Sequence, residues 1–328
     1  MNNYWKNKNV LITGASGFVG SNAVKYFYEI GARVTGVILP NTSQKEIERQ
    51  LGVIKKRIIV KEANLLSPEE AIEAVNGQDI VLNFAAVDGS LEFKNSHSAE
   101  VFSKNLRINL NMLEAANVCK VEAFLLVSST DIYSPQESNM INEDSPIELN
   151  WNNNFNGYKL AKWVSELAAK EYAKQYGLDI VIIRPSNLYG PGDDFSDKGK
   201  MRFIPSVIMK INKGNTPVIL WGDGTQTRSF LYIYDFVQLC KKLIEKKIFN
   251  QPVNIASKNH SKLSDIAKLV IRLCRSSADI IIDRQKPGGP HSIILDVNRI
   301  QSLIGKYEET SLEIGLEKTI EFYRKHYL

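Results

Sequence analysis

Tyr158 and Lys162 stand four residues apart in Tyr158-Lys159-Leu160-Ala161-Lys162, a spacing that puts a phenol and an ammonium on one face of a helix. A cation beside a phenol favours the phenolate, so the pair can pass a proton to and from a hydroxyl. Such pairs also occur on ordinary helix surfaces, and this one alone fixes no reaction. Some thirty residues earlier, Ser128-Ser129-Thr130-Asp131-Ile132-Tyr133 adds hydroxyls and one carboxylate at the end of an apolar run. A second constellation, Asn9 to Gly20 (NVLITGASGFVG), runs from an apolar strand through Gly14 and Gly17 to Gly20 at the start of a helix. A diphosphate needs backbone N–H groups close by and the positive end of a helix dipole, and side chains at Gly14 and Gly17 would hold the backbone away from it. Gly20 lets the helix lie close against its strand. The turn therefore reads as a dinucleotide site, and the tyrosine as the proton carrier that accompanies hydride transfer at a nicotinamide.

These groups must be held by a scaffold, and the pattern along the chain describes one. Apolar runs at Arg33 to Leu39, Arg57 to Lys61, Asp79 to Phe84 and Ala123 to Ser128 alternate with helical patterns, including a long one from Ser103 to Asn117. Continuous apolar strands separated by helices predict a parallel sheet covered on both faces. Asn83-Phe84-Ala85-Ala86 ends one strand with small residues, which leaves room for a ligand or for close packing of the next loop, and Asn64 after the third strand is placed to meet adenine. At the end of the second strand an acid would favour NAD and a base would favour a 2′-phosphate; Ile38 is neither, so NAD(H) and NADP(H) both remain open.

Composition removes other classes. The chain has 328 residues, 44% of them hydrophobic, and a formal charge of +5, with no basic run or nucleic-acid-binding motif, so nucleic acid is not an expected partner. No apolar run approaches the roughly 20 residues of a membrane span, and the polar start predicts a cytoplasmic protein. Cys119, Cys240 and Cys274 lie in helical patterns without CxxC spacing, and His97, His260, His291 and His326 are scattered, so neither disulfides nor a metal are expected.

Taken together, the chain resembles the extended short-chain dehydrogenase/reductases, specifically the nucleotide-sugar epimerases and dehydratases. The resemblance rests on TGASGFVG at Thr13 to Gly20, NFAA at Asn83 to Ala86, SSTDIY at Ser128 to Tyr133, YKLAK at Tyr158 to Lys162, RPSNLYGPGDDF at Arg184 to Phe195 and WGDGTQTRSFLYIYD at Trp221 to Asp235. It implies a Rossmann-type doubly wound parallel α/β sheet with a smaller, interleaved C-terminal substrate domain. Residues 1–185 plus about 235–258 would bind NAD(P), and residues 186–234 and 259–328 would bind the nucleotide sugar. It implies Tyr158 as acid/base, Lys162 on the nicotinamide ribose and Ser129 on the sugar O4. The cofactor would meet Gly14, Ser16, Gly17, Phe18, Val19, Gly20, Asn64, Leu65, Ala85, Ala86 and Pro185, besides Tyr158 and Lys162, with Asn105 counted among its site residues as a buried asparagine on the helix behind the site. Thr130, Asn187, Arg202 and Arg228 would meet the substrate, with Asn187 and Arg228 on its diphosphate. Lys286 to His291 followed by Asp296 resembles the family's C-terminal substrate loop.

The wording of the fifth motif is closest to the GDP-fucose synthases, which favours a GDP-linked substrate and a homodimer. Where those enzymes carry a cysteine base and a histidine acid, this chain has Asp131 and Arg202. Arginine is no acid at neutral pH, which argues against double epimerisation. Asp131 also stands where 4,6-dehydratases carry a glutamate base, so it is a candidate catalytic residue or a capping carboxylate. The expected function is oxidoreduction at C4 of a nucleoside-diphosphate sugar, as a 4-epimerase or a C4 oxidoreductase. A 4,6-dehydratase using Asp131, a fucose-synthase-like epimerase/reductase and a redox-inactive cofactor sensor are the alternatives.

Overall fold

Side chains alternate across a strand, and the two faces of the central sheet are both apolar, so the sheet needs a helical layer on each side. A computed structural model describes residues 4–134, 140–147, 156–196, 201–214, 217–286 and 293–328. Its main sheet is parallel and holds β1 (Asn9–Thr13), β2 (Arg33–Ile38), β3 (Ile59–Glu62), β4 (Ile80–Asn83), β5 (Ala123–Val127), β6 (Ile180–Pro185) and a later strand, β10 (Pro252–Ile255). Between β6 and β10 the chain forms β7 (Asn187–Tyr189), β8 (Val218–Trp221) and β9 (Thr227–Tyr232); β11 (His260–Lys262) and β12 (Ile280–Asp283) follow.

The helices are α1 (Phe18–Glu29), α2 (Gln44–Leu51), α3 (Pro68–Val75), α4 (Leu91–Ser96), α5 (Ser98–Val118), α6 (Gly157–Tyr176), α7 (Phe203–Asn212), α8 (Ile233–Glu245), α9 (Leu263–Leu273), α10 (Asn298–Ile304) and α11 (Leu312–Tyr327). Val10 and Ile12 of β1 face Val24 and Phe27 of α1 and Phe236 of α8 in one core, whereas Leu11 between them joins Ala71 of α3, Leu113 of α5 and Ala169 of α6 in the other. Alternation within one five-residue strand thus builds two cores.

The strand order is β10-β6-β5-β4-β1-β2-β3, so the direction of winding reverses between β1 and β4. Such a switch point leaves a crevice outside the carboxyl ends of the strands, where open α/β sheets bind ligands. Two small sheets, β11-β9-β7 and β12-β8, lie outside the main one.

The expected strands appear within one or two residues. The long helix expected from Ser103 instead starts at Ser98. Its first turn is held by tertiary contact: Gly157 N donates to Ser98 Oγ at 2.7 Å, and a Cβ at Gly157 would meet Ser98 O at 2.0 Å. The glycine beside Tyr158 is therefore what allows α6 to press against α5. Among the described residues no helix is long and apolar enough to cross a membrane, and no group of three or more His, Cys, Asp or Glu side chains could hold a metal. The segment 287–292 within the expected substrate loop lies outside the described residues. Asp296 beyond it accepts from Asn298 N at 2.6 Å, at the start of α10.

Candidate active site

β1 ends in a turn that only glycine can make at two points. Gly14 has φ +64°, a conformation side chains rarely adopt, and a Cβ at Gly20 would lie 2.2 Å from Gly14 O. The helix α1 therefore starts hard against the turn. Gly17 is its N-cap and offers no side-chain hydrogen bond to the first-turn N–H groups, which leaves these donors and the positive helix end for an anion. The turn opens on a cavity of about 610 Å³.

The cavity runs from Gly14, Ser16, Gly17, Phe18, Val19 and Gly20 past Asn64 and Leu65 to Ala85 and Ala86, and on to Ser129, Tyr158, Lys162 and Pro185. Thr130, Asp131, Asn187, Arg202 and Arg228 also line it. Residues from both ends of the chain thus meet in one cleft. Asn105 does not reach that wall. It is buried behind it, where its amide donates to Val87 O at 2.9 Å and accepts from Val87 N at 2.8 Å, so it braces the loop after β4. In front of that brace, Thr13 Oγ1 accepts from Ala85 N at 2.9 Å and donates to Asn83 Oδ1 at 2.7 Å. These bonds fix the small-residue wall opposite the glycine turn. A cradle of backbone donors faced by alanines fits a dinucleotide.

Tyr158 and Lys162 sit on the cavity face of α6. The helix is anchored by Glu166, whose carboxylate takes two hydrogen bonds from buried Arg184 of β6, at 2.9 and 2.7 Å. Lys162 is buried and donates to Val127 O at 2.7 Å; burial pulls its ammonium down to about 8. Its nitrogen lies 5.5 Å from the Tyr158 ring centre.

The environment of Tyr158 adds opposing influences to that of Lys162. The neighbouring cation was expected to favour the phenolate, but burial, and then the Asp88 and Asp131 carboxylates, push the phenol above its usual range; Lys94 and a hydrogen bond with Ser129 work the other way. The phenol is therefore held protonated. Ser129 also accepts from Asp131 N at 3.0 Å, which fixes the turn that carries both side chains.

Asp88 and Lys94 were not anticipated. They flank Ser90, the N-cap of α4, in the stretch that directly follows the two alanines. Their charge and their position beside a motif were visible, but nothing in the spacing ties them to Asp131 or Tyr158. In the structure Lys94 Nζ lies 3.1 Å from Asp88 Oδ1 and 3.5 Å from Asp131 Oδ2.

Arg202, Arg228 and Asn187, the residues expected to meet substrate, line the same cleft. Arg202 donates to buried Asp193 at 2.6 Å and its guanidinium lies 5.0 Å from the Phe18 ring centre, close to the glycine turn. Arg228, on β9, donates to Thr227 O at 2.9 Å, and burial lowers its proton affinity while Asp131 raises it. Asn187 donates to Ser229 O at 3.2 Å and thereby ties β7 to β9. If Arg228 meets a substrate phosphate, Arg228→Ala should weaken nucleotide-sugar binding at least about tenfold, the loss of one charge-assisted contact, and spare cofactor affinity. Isothermal titration of both ligands checks this, and equal substrate affinity in variant and wild type would remove Arg228 from the site.

The chain is similar to known proteins along its whole length. A dTDP-4-dehydro-6-deoxy-D-allose reductase from a Streptomyces species is 31% identical over 326 residues, 98% of each chain. The GDP-L-fucose synthase of Sinorhizobium fredii is 27% identical and covers 96% of this chain and 95% of its own. Among solved structures, the UDP-glucose 4-epimerase of Thermotoga maritima superposes with a TM-score of 0.85 at 23% identity, covering 97% of this chain and 99% of that one. The model of the NAD dependent epimerase/dehydratase family matches residues 10–256. A match over so much of the chain, with the glycine turn and the Tyr-Lys pair at opposite ends of one cleft, establishes that this protein belongs to the NAD-dependent epimerase/dehydratase family, as an NAD(P)-dependent enzyme of the extended short-chain dehydrogenase/reductase type.

Proposed function

We propose that the enzyme reduces the C4 ketone of a nucleoside-diphosphate 4-keto sugar. Residues 1–185 with about 235–258 would hold the cofactor, and residues 186–234 with 259–328 the nucleotide sugar. The observation that carries the reading is the placement of the Tyr158 phenol in the same cleft as the glycine turn, with Ser129 and Lys162 beside it: reduction of a ketone needs a proton donor at the carbonyl oxygen, and a phenol so placed is such a donor. A reduced nicotinamide cofactor, held by the glycine turn, Ala85 and Ala86, would supply hydride to C4. Tyr158 delivers its proton to O4 and becomes phenolate, Ser129 shares the hydrogen bond with that oxygen, and Lys162 with its positive charge stabilises the phenolate. The pathway of hydride and proton is thus a single C=O to CH–OH conversion. Relatives named as 4-keto-sugar reductases, at 31% and 30% identity, support the same direction.

Asp131 does not have the surroundings of an isolated base, since it faces Lys94. A dehydratase or a C5 epimerase must remove the C5 proton, whereas a C4 reductase leaves it in place. The test is incubation in deuterium oxide of purified enzyme with dTDP-, GDP- and UDP-linked 4-keto-6-deoxy sugars and with NADPH or NADH. Cofactor oxidation with a reduced sugar product, free of deuterium at C5 beyond the enzyme-free control, is the expected result. Deuterium at C5 that disappears in Asp131→Asn would overturn the reading in favour of the dehydratase or C5 epimerase. The GDP link suggested by motif wording is one arm of that panel, and sedimentation of the same sample decides whether the chain pairs as a homodimer.

A further inference from the structure

The Asp88, Lys94 and Asp131 cluster is left unused by the mechanism above, although it lies against the reacting phenol. Lys94 Nζ is 4.0 Å from the Tyr158 ring centre, closer than Lys162 at 5.5 Å. The Lys94 side chain is 13% exposed, against 47% for Asp131 and 39% for Asp88. A nearly buried ammonium, shared between two carboxylates and laid on an aromatic face, is costly to hold unless all three partners are in place. Although burial opposes it, Asp88 and Asp131 keep Lys94 firmly charged. Burial likewise opposes the Asp88 charge, and Lys94 with Arg202 keeps that carboxyl below its ordinary range.

We propose that Lys94, held by Asp88, is a positioning residue for the Tyr158 proton transfer: it clamps the phenol ring from its face and takes up the Asp131 charge that would otherwise repel the phenolate. This rests on the C4-reductase reading for its effect on rate, but its effect on the phenol does not. The charged and titratable groups facing that phenol are Asp88 from the loop after β4, Lys94 of α4, Asp131 after β5, Lys162 of α6 and Arg202 before α7. Asp88 and Asp131 disfavour the phenolate, and the three cations favour it. Lys94 is the cation whose removal also exposes both carboxylates. Without it Tyr158 becomes a weaker acid and gives its proton to O4 more slowly.

Two readouts test this on Lys94→Met, Lys94→Arg and the double variant Lys94→Met/Asp131→Asn, with Lys94→Gln standing in should methionine prevent folding. In the first, 3,5-difluorotyrosine replaces Tyr158, which brings the phenol's titration into an accessible range, and fluorine NMR follows it in the absence of any substrate. Lys94→Met should raise the midpoint by about one unit, Lys94→Arg should hold it, and the added Asp131→Asn should recover part of the shift. In the second, Lys94→Met should lower kcat by about tenfold with little change in KM, and Lys94→Arg should retain most of it. An unchanged midpoint in Lys94→Met would overturn the proposal, whether or not kcat falls, because a merely structural lysine would leave the phenol's titration alone. If the wild type reduces no 4-keto sugar while the midpoint moves as expected, the reductase reading fails and the role of Lys94 stands.

Discussion

Tyr158→Phe should lower turnover by about a hundredfold or more while leaving the affinities for cofactor and nucleotide sugar nearly unchanged, because it deletes one oxygen and the proton it carries. The ring it leaves behind keeps the packing: Tyr158 is buried between Lys94 and Lys162, and phenylalanine fills the same space against both. Each direction of C4 chemistry needs this group, as phenol for reduction and as phenolate for oxidation. No other described side chain in the cleft replaces it. Ser129 Oγ is engaged with Asp131 N at 3.0 Å, and Lys162 is engaged with Val127 O at 2.7 Å. Single-turnover absorbance of the reduced nicotinamide, with ligand binding measured separately, isolates the step. A variant with more than a tenth of wild-type turnover would remove Tyr158 from the proton path.

Gly17→Val should abolish cofactor binding in a protein that still folds. The backbone at Gly17 has φ −87° and ψ 175°, an extended conformation that valine adopts readily, so no turn has to break. Its Cβ would sit 3.2 Å from Gly14 O, a tight contact, and nothing else lies within 4 Å, so the branched methyl groups project into open space in the cleft. That space is bounded by the N–H groups at the start of α1, and a valine there holds a diphosphate out of their reach. Losing two charge-assisted hydrogen bonds corresponds to on the order of a hundredfold in affinity or more. Circular dichroism should match wild type, and quenching of protein fluorescence by NADPH and NADH should vanish. Normal folding with unchanged affinity for both would mean that the turn does not hold the cofactor.

Local rules carried much of the scaffold in the sequence. Three glycines between an apolar strand and a helix, and apolar runs alternating with helical patterns, made the glycine turn and the covered parallel sheet legible from spacing, whereas the Tyr158 and Lys162 pair took its meaning only in combination with the other motifs. Resemblance added Ser129, Asn187, Arg202 and Arg228, which the structure gathers into the same cleft from segments as far apart as β5 and β9.

Tertiary structure decided the rest, and the reason is that charge acts through space. Resemblance placed Asn105 as a buried asparagine on the helix behind the site, but that its amide braces Val87 is visible only in the fold. Gly157 reads as an ordinary residue before a helix until Ser98 O is found where its Cβ would be. The sequence argued from Lys162, four residues away, that Tyr158 would favour its phenolate. The fold also buries the phenol and sets Asp88 and Asp131 near it, with Lys94 on its ring face, and burial and the carboxylates outweigh the cations. Spacing along one helix determined which groups share a face, whereas the balance of charge around them depended on a loop, a short helix and a strand end that meet only when the sheet is assembled.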